Sequence, residues 1–401
     1  MTGRIDGRVV ALTLGMAGTC LLGWAFKAHC MAEGWVAAIQ YTSGCYSDAV
    51  PFWGQRHVDQ GLIPYFQTPM EYPVLTGLQI WIEGAVVRGL FGSAANDAAF
   101  LSAVTLANAL LAGLILWMFA RAGMDRARLW LWACAPPLIL YLGHNWDLGA
   151  TAFCVAAMLA ARREQLVLAA MLAALGAAAK LFPALLLPLI GLAALAAPDR
   201  SWRARIGTAG MCTLVAIAAW AAVNLPVALA APENWSEFYR FSQARAGTAG
   251  STWEILSNQG FWVTGIPQRN LYASLAFLIG AAGIIAFGWW RHRAQLWVLF
   301  TPILAWFLLT NKVWSPQFDL WLYPLLVMTS PRRTPVALFV IGDIAAYFTE
   351  FWWFAGMANT WPYATTHDIL LAASVRGIAM LWLIVDAVRL PAPAWIGRAQ
   401  D

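Results

Sequence analysis

Apolar runs of helical length recur along the whole chain, at about 9–26, 97–120, 129–143, 146–161, 165–179, 181–197, 206–230, 270–290, 294–310, 317–330, 335–356 and 368–388. No alternating apolar–polar stretch competes with them, so each predicts a helix. A perpendicular bilayer crossing needs roughly 20 residues, and several of these runs are shorter. Backbone groups in hydrocarbon must pair within their own segment, which again selects helices. The expected fold class is an all-α polytopic membrane protein of about twelve transmembrane helices. No linker, low-complexity run or internal repeat divides the chain, so residues 1–401 read as a single domain.

The polar stretches between the runs carry the orientation. The arginine loops Arg121/Arg126/Arg128, Arg162/Arg163, Arg200/Arg203/Arg205, Arg291/Arg293 and Arg332/Arg333 all become cytoplasmic if both termini are inside. Arg4 and Arg8 precede the first run without a convincing small-residue cleavage site, which predicts an uncleaved first span. Residues 73–91 do not fit: they are long enough to cross, but crossing would push Arg121, Arg126 and Arg128 outside. With Glu83 and Arg88 inside it, this segment reads as an interfacial helix of the first outer loop, lying on or dipping into the membrane. The outer face then collects the first loop (27–96), the turn His144–Asp147, the turn near Lys180, the second loop (231–269), Asn311–Gln317 and 357–367.

Composition agrees with the pattern. Hydrophobic residues make up 61% and charged residues 11%, with mean hydropathy +0.63, against roughly 25% charged for a soluble domain. The 24 Trp suit membrane–water boundaries first and sugar stacking second. Net charge is +5, but the arginines sit in short inter-helix loops, which argues against nucleic acid as a partner. Of the six cysteines, Cys20, Cys134, Cys154 and Cys212 fall in apolar segments and read as small core residues. Cys30 and Cys45 flank the start of the first loop and can pair if that loop is extracytoplasmic.

Lysine is used sparingly. Lys27, Lys180 and Lys312 all fall at expected outer helix ends, against the positive-inside trend. Lys27 reads as a snorkelling side chain. Lys180 in AAAKLFP and Lys312 in TNKVWSP read as counter-ions for a phosphate, because charge near membrane depth is costly and tends to be functional.

The stretch 44–77 is the longest turn-rich segment near the start and holds Asp48 among aromatics and prolines. Two readings of Asp48 stand at this point: a general base, its pKa raised by apolar surroundings, or a cap for a helix beginning at Pro51 or Phe52. Asn145 and Asp147 suit binding of sugar hydroxyls, and Asp147 equally suits helix capping. The second loop interleaves Trp235, Glu237, Tyr239, Arg240 and Arg245, as a carbohydrate-and-phosphate surface would. Deeper, Asp343 and Arg376 stand at similar heights in the last two spans and predict a structural ion pair, while Glu350 lies nearer the outer end, placed to face the pocket. No P-loop, Asp-x-Asp, HExxH or metal-spaced Cys/His cluster occurs, against ATP-driven transport and metal-dependent transfer.

Asp48, then Gly61-x-x-Pro64-Tyr65, then Tyr72-Pro73, with CYSD, MEYPVLTG, GAAAKLFP, VNLPV, NWSEFYRF and NKVWSPQFDLWL in order, resembles glycosyltransferase family 87 of the GT-C superfamily, in an actinobacterial form. The likeness runs from Cys30 to about Trp321. It implies a metal-independent, cofactor-free inverting transferase in the plasma membrane, with its site on the extracytoplasmic (periplasmic) face. The donor would be a polyprenyl-phosphate sugar and the acceptor a glycolipid or cell-envelope polysaccharide. The family's aspartate after the first span maps onto Asp48. Lys312, Lys180, Arg240 and Arg245 would hold the donor phosphate. Tyr46, Trp53, Arg56, Glu71, Tyr72, Asn145, Asp147, Trp235, Asn311, Trp314 and Gln317 would contact sugar or acceptor. The chain departs from the family at Ser315-Pro316-Gln317-Phe318-Asp319, where mannosyltransferases often carry a histidine pair, so mannose and arabinofuranose both stay open. A lipid-sugar flippase would instead spread polar residues through the membrane depth or show paired broken helices. A non-catalytic envelope-assembly partner would lack a cavity beside Asp48.

Overall fold

The computed structural model describes residues 7–36 and 38–397; Arg4 lies outside them. Among the described residues the protein is helical, with no β-strand. Helix α1 (Gly7–Ala28) leads into the first loop, which holds the short α2 (Ile39–Thr42) and α3 (Ala49–Gln55) and the longer α4 (Val74–Phe91). Next comes α5 (Asp97–Arg121). The window 129–143 is split into α6 (Arg126–Ala133) and α7 (Pro136–Tyr141), because two consecutive prolines at 136 and 137 can donate no hydrogen bond to the preceding turn. Helices α8 (Asp147–Arg162), α9 (Leu166–Ala179), α10 (Leu187–Ala196) and α11 (Trp202–Ala230) follow. The second loop folds as α12 (Pro232–Ala244) and α13 (Thr252–Asn258). The chain ends with α14 (Ile266–His292), α15 (Phe300–Thr310), α16 (Asp319–Thr329), α17 (Thr334–Met357), α18 (Thr366–Arg389) and α19 (Ala394–Gly397).

Seven of these helices, α1, α4, α5, α11, α14, α17 and α18, are long and apolar enough to cross a membrane. The remaining apolar windows form shorter helices that pack inside the bundle. All eleven residues of α16 are buried, and α9 turns a face of alanines to its neighbours. Small residues let backbones approach closely where packing, not water expulsion, holds helices together. A helix so enclosed is shielded by protein rather than by lipid, so the length demanded of a lipid-facing span does not apply to it.

The short arginine loops and the three lysines fall at opposite ends of the bundle. At one end Arg128 donates to Val327 and Ser330 carbonyls at 2.7 Å each, Arg162 to Ala122, Ile396 and Trp395 carbonyls, and Arg333 pairs with Asp125 at 3.2 Å. All three lysines belong to the other end. Helix α4 lies against this lysine end along most of its length. Thr76 donates to the Ala179 carbonyl at the end of α9 (2.7 Å), Glu83 accepts from Trp146 Nε1 (2.7 Å), and Arg88 donates to the Val58 carbonyl in the first loop.

Three expectations about single residues are corrected. Lys27 does not snorkel: it is fully buried, donating to the Tyr46 carbonyl (2.7 Å), the Gly44 carbonyl (3.3 Å) and the Tyr347 hydroxyl, so polar oxygens replace water around it. Cys134 is exposed, at the end of α6, whereas Cys20, Cys154 and Cys212 are buried. Arg376 pairs with Asp319 at 2.9 Å, not with Asp343, which instead accepts from the Tyr141 hydroxyl. Height along a helix was right, but the buried face of α16 brings a closer acid. The guanidinium also stacks 3.7 Å over the Trp314 ring. Removing one member of a buried pair strands the other charge, so Arg376→Gln should cost about 3–5 kcal/mol, read as a large fall in Tm.

Cys30 and Cys45 form a disulfide, 15 residues apart. With Lys27 holding the Gly44 and Tyr46 carbonyls, it ties the first loop to the end of α1. A cross-link of this loop length stabilises by about 3 kcal/mol through the unfolded chain. The double variant Cys30→Ser/Cys45→Ser should therefore melt earlier than the parent protein in the same detergent, without a change in helix content by circular dichroism.

Candidate active site

The turn Gly44–Asp48 is pinned from three sides. Lys27 holds its carbonyls, Ser47 Oγ donates to the Gly143 carbonyl at 2.6 Å, and the Asp48 amide donates to the His144 carbonyl at 2.8 Å. Asp48 stands at the N-cap position of α3, yet its side chain caps nothing. Ser47 Oγ takes the Ala49 amide instead, at 3.2 Å. The carboxylate is left for the two tyrosines: Tyr46 Oη donates to Oδ1 at 2.9 Å and Tyr72 Oη to Oδ2 at 3.3 Å. Burial raises the Asp48 pKa above the ordinary carboxylate value, opposed by the Tyr46 hydrogen bond, then the nearby Lys180 charge.

A cavity of about 610 Å³ opens beside this carboxylate, and Asp48, Lys180 and Lys312 all line it. Lys180 pairs with the buried Asp147, which also accepts from Trp321 Nε1 at 2.7 Å. The ammonium of Lys180 lies 4.6 Å over the Tyr72 ring. Its charge is thus shared between an acid behind it and Asp48 in front.

Another part of the lining is different. Arg245 and Lys312 both line the cavity, and neither forms an ion pair among the described residues. Lys312 donates only to the Gln243 carbonyl, at 2.8 Å. Its pKa is lowered by burial and then by the neighbouring Arg245 charge. Two like charges lining one hollow, neither in an ion pair among the described residues, suit an anion, although the Asp48 and Glu71 charges also act on Arg245. Gln317 Oε1 in the same lining is buried without a partner.

Among the other expected site residues, Tyr46, Glu71, Tyr72 and Asn311 line the cavity. Arg56 stands behind Glu71 and pairs with it. Asp147 and Asn145 are buried behind the wall; Asn145 Oδ1 accepts the Asp147 amide at 3.1 Å. Trp53 packs on Phe100, with ring centroids 5.4 Å apart. Trp235 donates to Asn224 at 3.1 Å, and Arg240 pairs with Glu237 on the surface. Trp314 stacks on Arg376. None of these last four reaches the cavity, because each has a structural partner of its own.

The cavity also holds residues not marked from sequence as site residues: Tyr41, His144, Phe241 and Phe351. Burial, then the Lys27 and Lys180 charges, lower the His144 pKa well below the ordinary imidazole value. The Tyr41 ring stacks on Tyr46 at 6.0 Å and on Phe351 at 6.4 Å. Among the described residues, the group tight enough to hold a metal is His29, Cys30 and Cys45, and both sulfurs are committed to the disulfide. Compared with known proteins, the chain matches no protein-family model and no curated protein.

Proposed function

We propose that this protein is a membrane glycosyltransferase that moves one sugar from a polyprenyl-phosphate donor to a lipid-linked or cell-envelope glycan acceptor, with inversion. In this reading the lysine end faces outward, the arginine end faces the cytoplasm, and about twelve helices surround the site as in GT-C enzymes, with α4 lying in the outer interface. Asp48 takes the proton of an acceptor hydroxyl, whose oxygen forms the new bond to the anomeric carbon. The bond from that carbon to the phosphate oxygen breaks, and polyprenyl phosphate leaves with the electron pair. Arg245 and Lys312 neutralise the charge that develops there. Lys180, tied to Asp147, sets the field at the base rather than binding phosphate outright.

The observation that carries the reading is one hollow holding a carboxylate that caps no helix and two cations that pair with no acid. A non-catalytic partner would have no need of that hollow. The test is transfer from radiolabelled polyprenyl-phosphate mannose and arabinofuranose to envelope glycolipids in liposomes. Turnover with either donor supports the reading. Movement of labelled glycolipid across the bilayer without transfer would replace it with a flippase.

A further inference from the structure

A second hollow lies at the arginine end between α14 and α18. Its volume is about 860 Å³, and Trp306 of α15 lines it. Its walls are apolar, among them Ile284, Phe287, Leu381 and Val385, and Arg291 and Arg389 also line it. It contains no carboxylate, so it is not built for the chemistry proposed at the other end.

Two glycines shape it. A Cβ at Gly280 would meet Trp306 Nε1 at 1.9 Å, so only glycine lets the indole pack onto α14 there. A Cβ at Gly283 would meet nothing within 4 Å, so the groove is open at that position. The indole N–H is already satisfied by the Ala276 carbonyl at 2.9 Å, so the groove offers apolar surface and not hydrogen bonds. Phe287 and Trp290 beside it are 80% exposed. At the helix ends, Arg291 lies in the last turn of α14 and Arg389 in the last turn of α18. Neither guanidinium forms an ion pair among the described residues, although Asp386 in the same turn of α18 pairs with Arg332.

We infer that this groove seats a phospholipid with an anionic headgroup, its acyl chain along Gly283 beside the Trp306 indole and its phosphate between Arg291 and Arg389. The pairing is one of charge and polarity together: apolar walls continue directly into two unpaired arginines at the end of lipid-facing helices. Basic pockets between helices recognise anionic lipids in this way. The site is separate from Asp48 and does not rest on the transferase reading.

The experiment is native mass spectrometry of the full chain released from nanodiscs of mixed phosphatidylglycerol and phosphatidylcholine, with Gly283→Trp and Arg291→Gln/Arg389→Gln as variants. The parent protein should retain phosphatidylglycerol in preference. Gly283→Trp, which fills open space, should remove one bound lipid of either kind. Arg291→Gln/Arg389→Gln should keep a lipid but lose roughly tenfold of the preference. Equal retention by all three proteins would overturn the inference. So would a dimer mass that disappears with Gly283→Trp, which would make the occupant a second copy. Inorganic phosphate added at millimolar concentration should not displace the lipid; displacement would mean that the arginines bind free phosphate and the groove is incidental.

Discussion

Asp48→Asn should abolish sugar transfer, by roughly 10²- to 10⁴-fold, while the protein still folds and binds donor. Asparagine keeps the size of the side chain and can still meet the Tyr46 and Tyr72 hydroxyls, so the loop geometry survives. What it loses is the capacity to take a proton. Near-normal turnover would remove Asp48 as the base. The pH profile gives a second, independent check. A base works only when ionised, and burial raises the Asp48 pKa, so the acid limb of kcat/KM should lie at higher pH than for an ordinary carboxylate. The Tyr46 hydrogen bond is the largest influence in the opposite direction. Tyr46→Phe removes it, so the limb should move further up in pH and turnover at low pH should fall more than at high pH. A purely structural role for Tyr46 would lower the whole profile without moving the limb.

The helices were legible because apolar runs interrupted by arginine loops leave few alternatives in a membrane. The candidate site was legible where a residue type stood out: an acid among aromatics and prolines at Asp48, and the chain's three lysines at the end where the positive-inside trend expects few cations. Expectations failed where direction around a helix mattered. Height along a helix can be counted and points Arg376 to Asp343, but which face meets which depends on packing, and α16 brings Asp319 closer. In the second loop, Arg240 and Arg245 looked equivalent as members of a mixed stretch. Residues 238, 241, 242 and 245 share one face at helical spacing, and all four line the cavity, while Arg240 points away to Glu237. That period of 3.6 was present in the sequence and separates the two arginines. The tryptophans misled for another reason. Trp53, Trp235 and Trp314 each satisfy a packing or hydrogen-bonding need inside the protein, and composition does not distinguish this from stacking on a sugar.

Arg245→Gln and Lys312→Gln should each lower turnover by roughly 10²- to 10³-fold, the magnitude expected when one stabilising group is taken from developing charge. The double variant should lose less than the product of the two, because both act on the same phosphate. Lys312→Gln should leave the ligand-free protein as stable as the parent or slightly more so, since Arg245 repels Lys312 and Lys312 forms no ion pair among the described residues, whereas Arg245 also feels the Asp48 and Glu71 charges. Loss of function with retained or increased Tm is the signature of charge held for a ligand; an ordinary structural ion pair would show the reverse. The titration sharpens the distinction. Burial and the Arg245 charge both lower the Lys312 pKa, so as pH rises Lys312 loses its proton earlier than a free lysine, and an alkaline limb should appear. Arg245→Gln removes one of those two influences and should shift that limb to higher pH even as it lowers the maximum rate. Should the limb stay where it is while donor affinity falls, Arg245 and Lys312 would belong to separate sites, and the phosphate would have to be held elsewhere in the cavity.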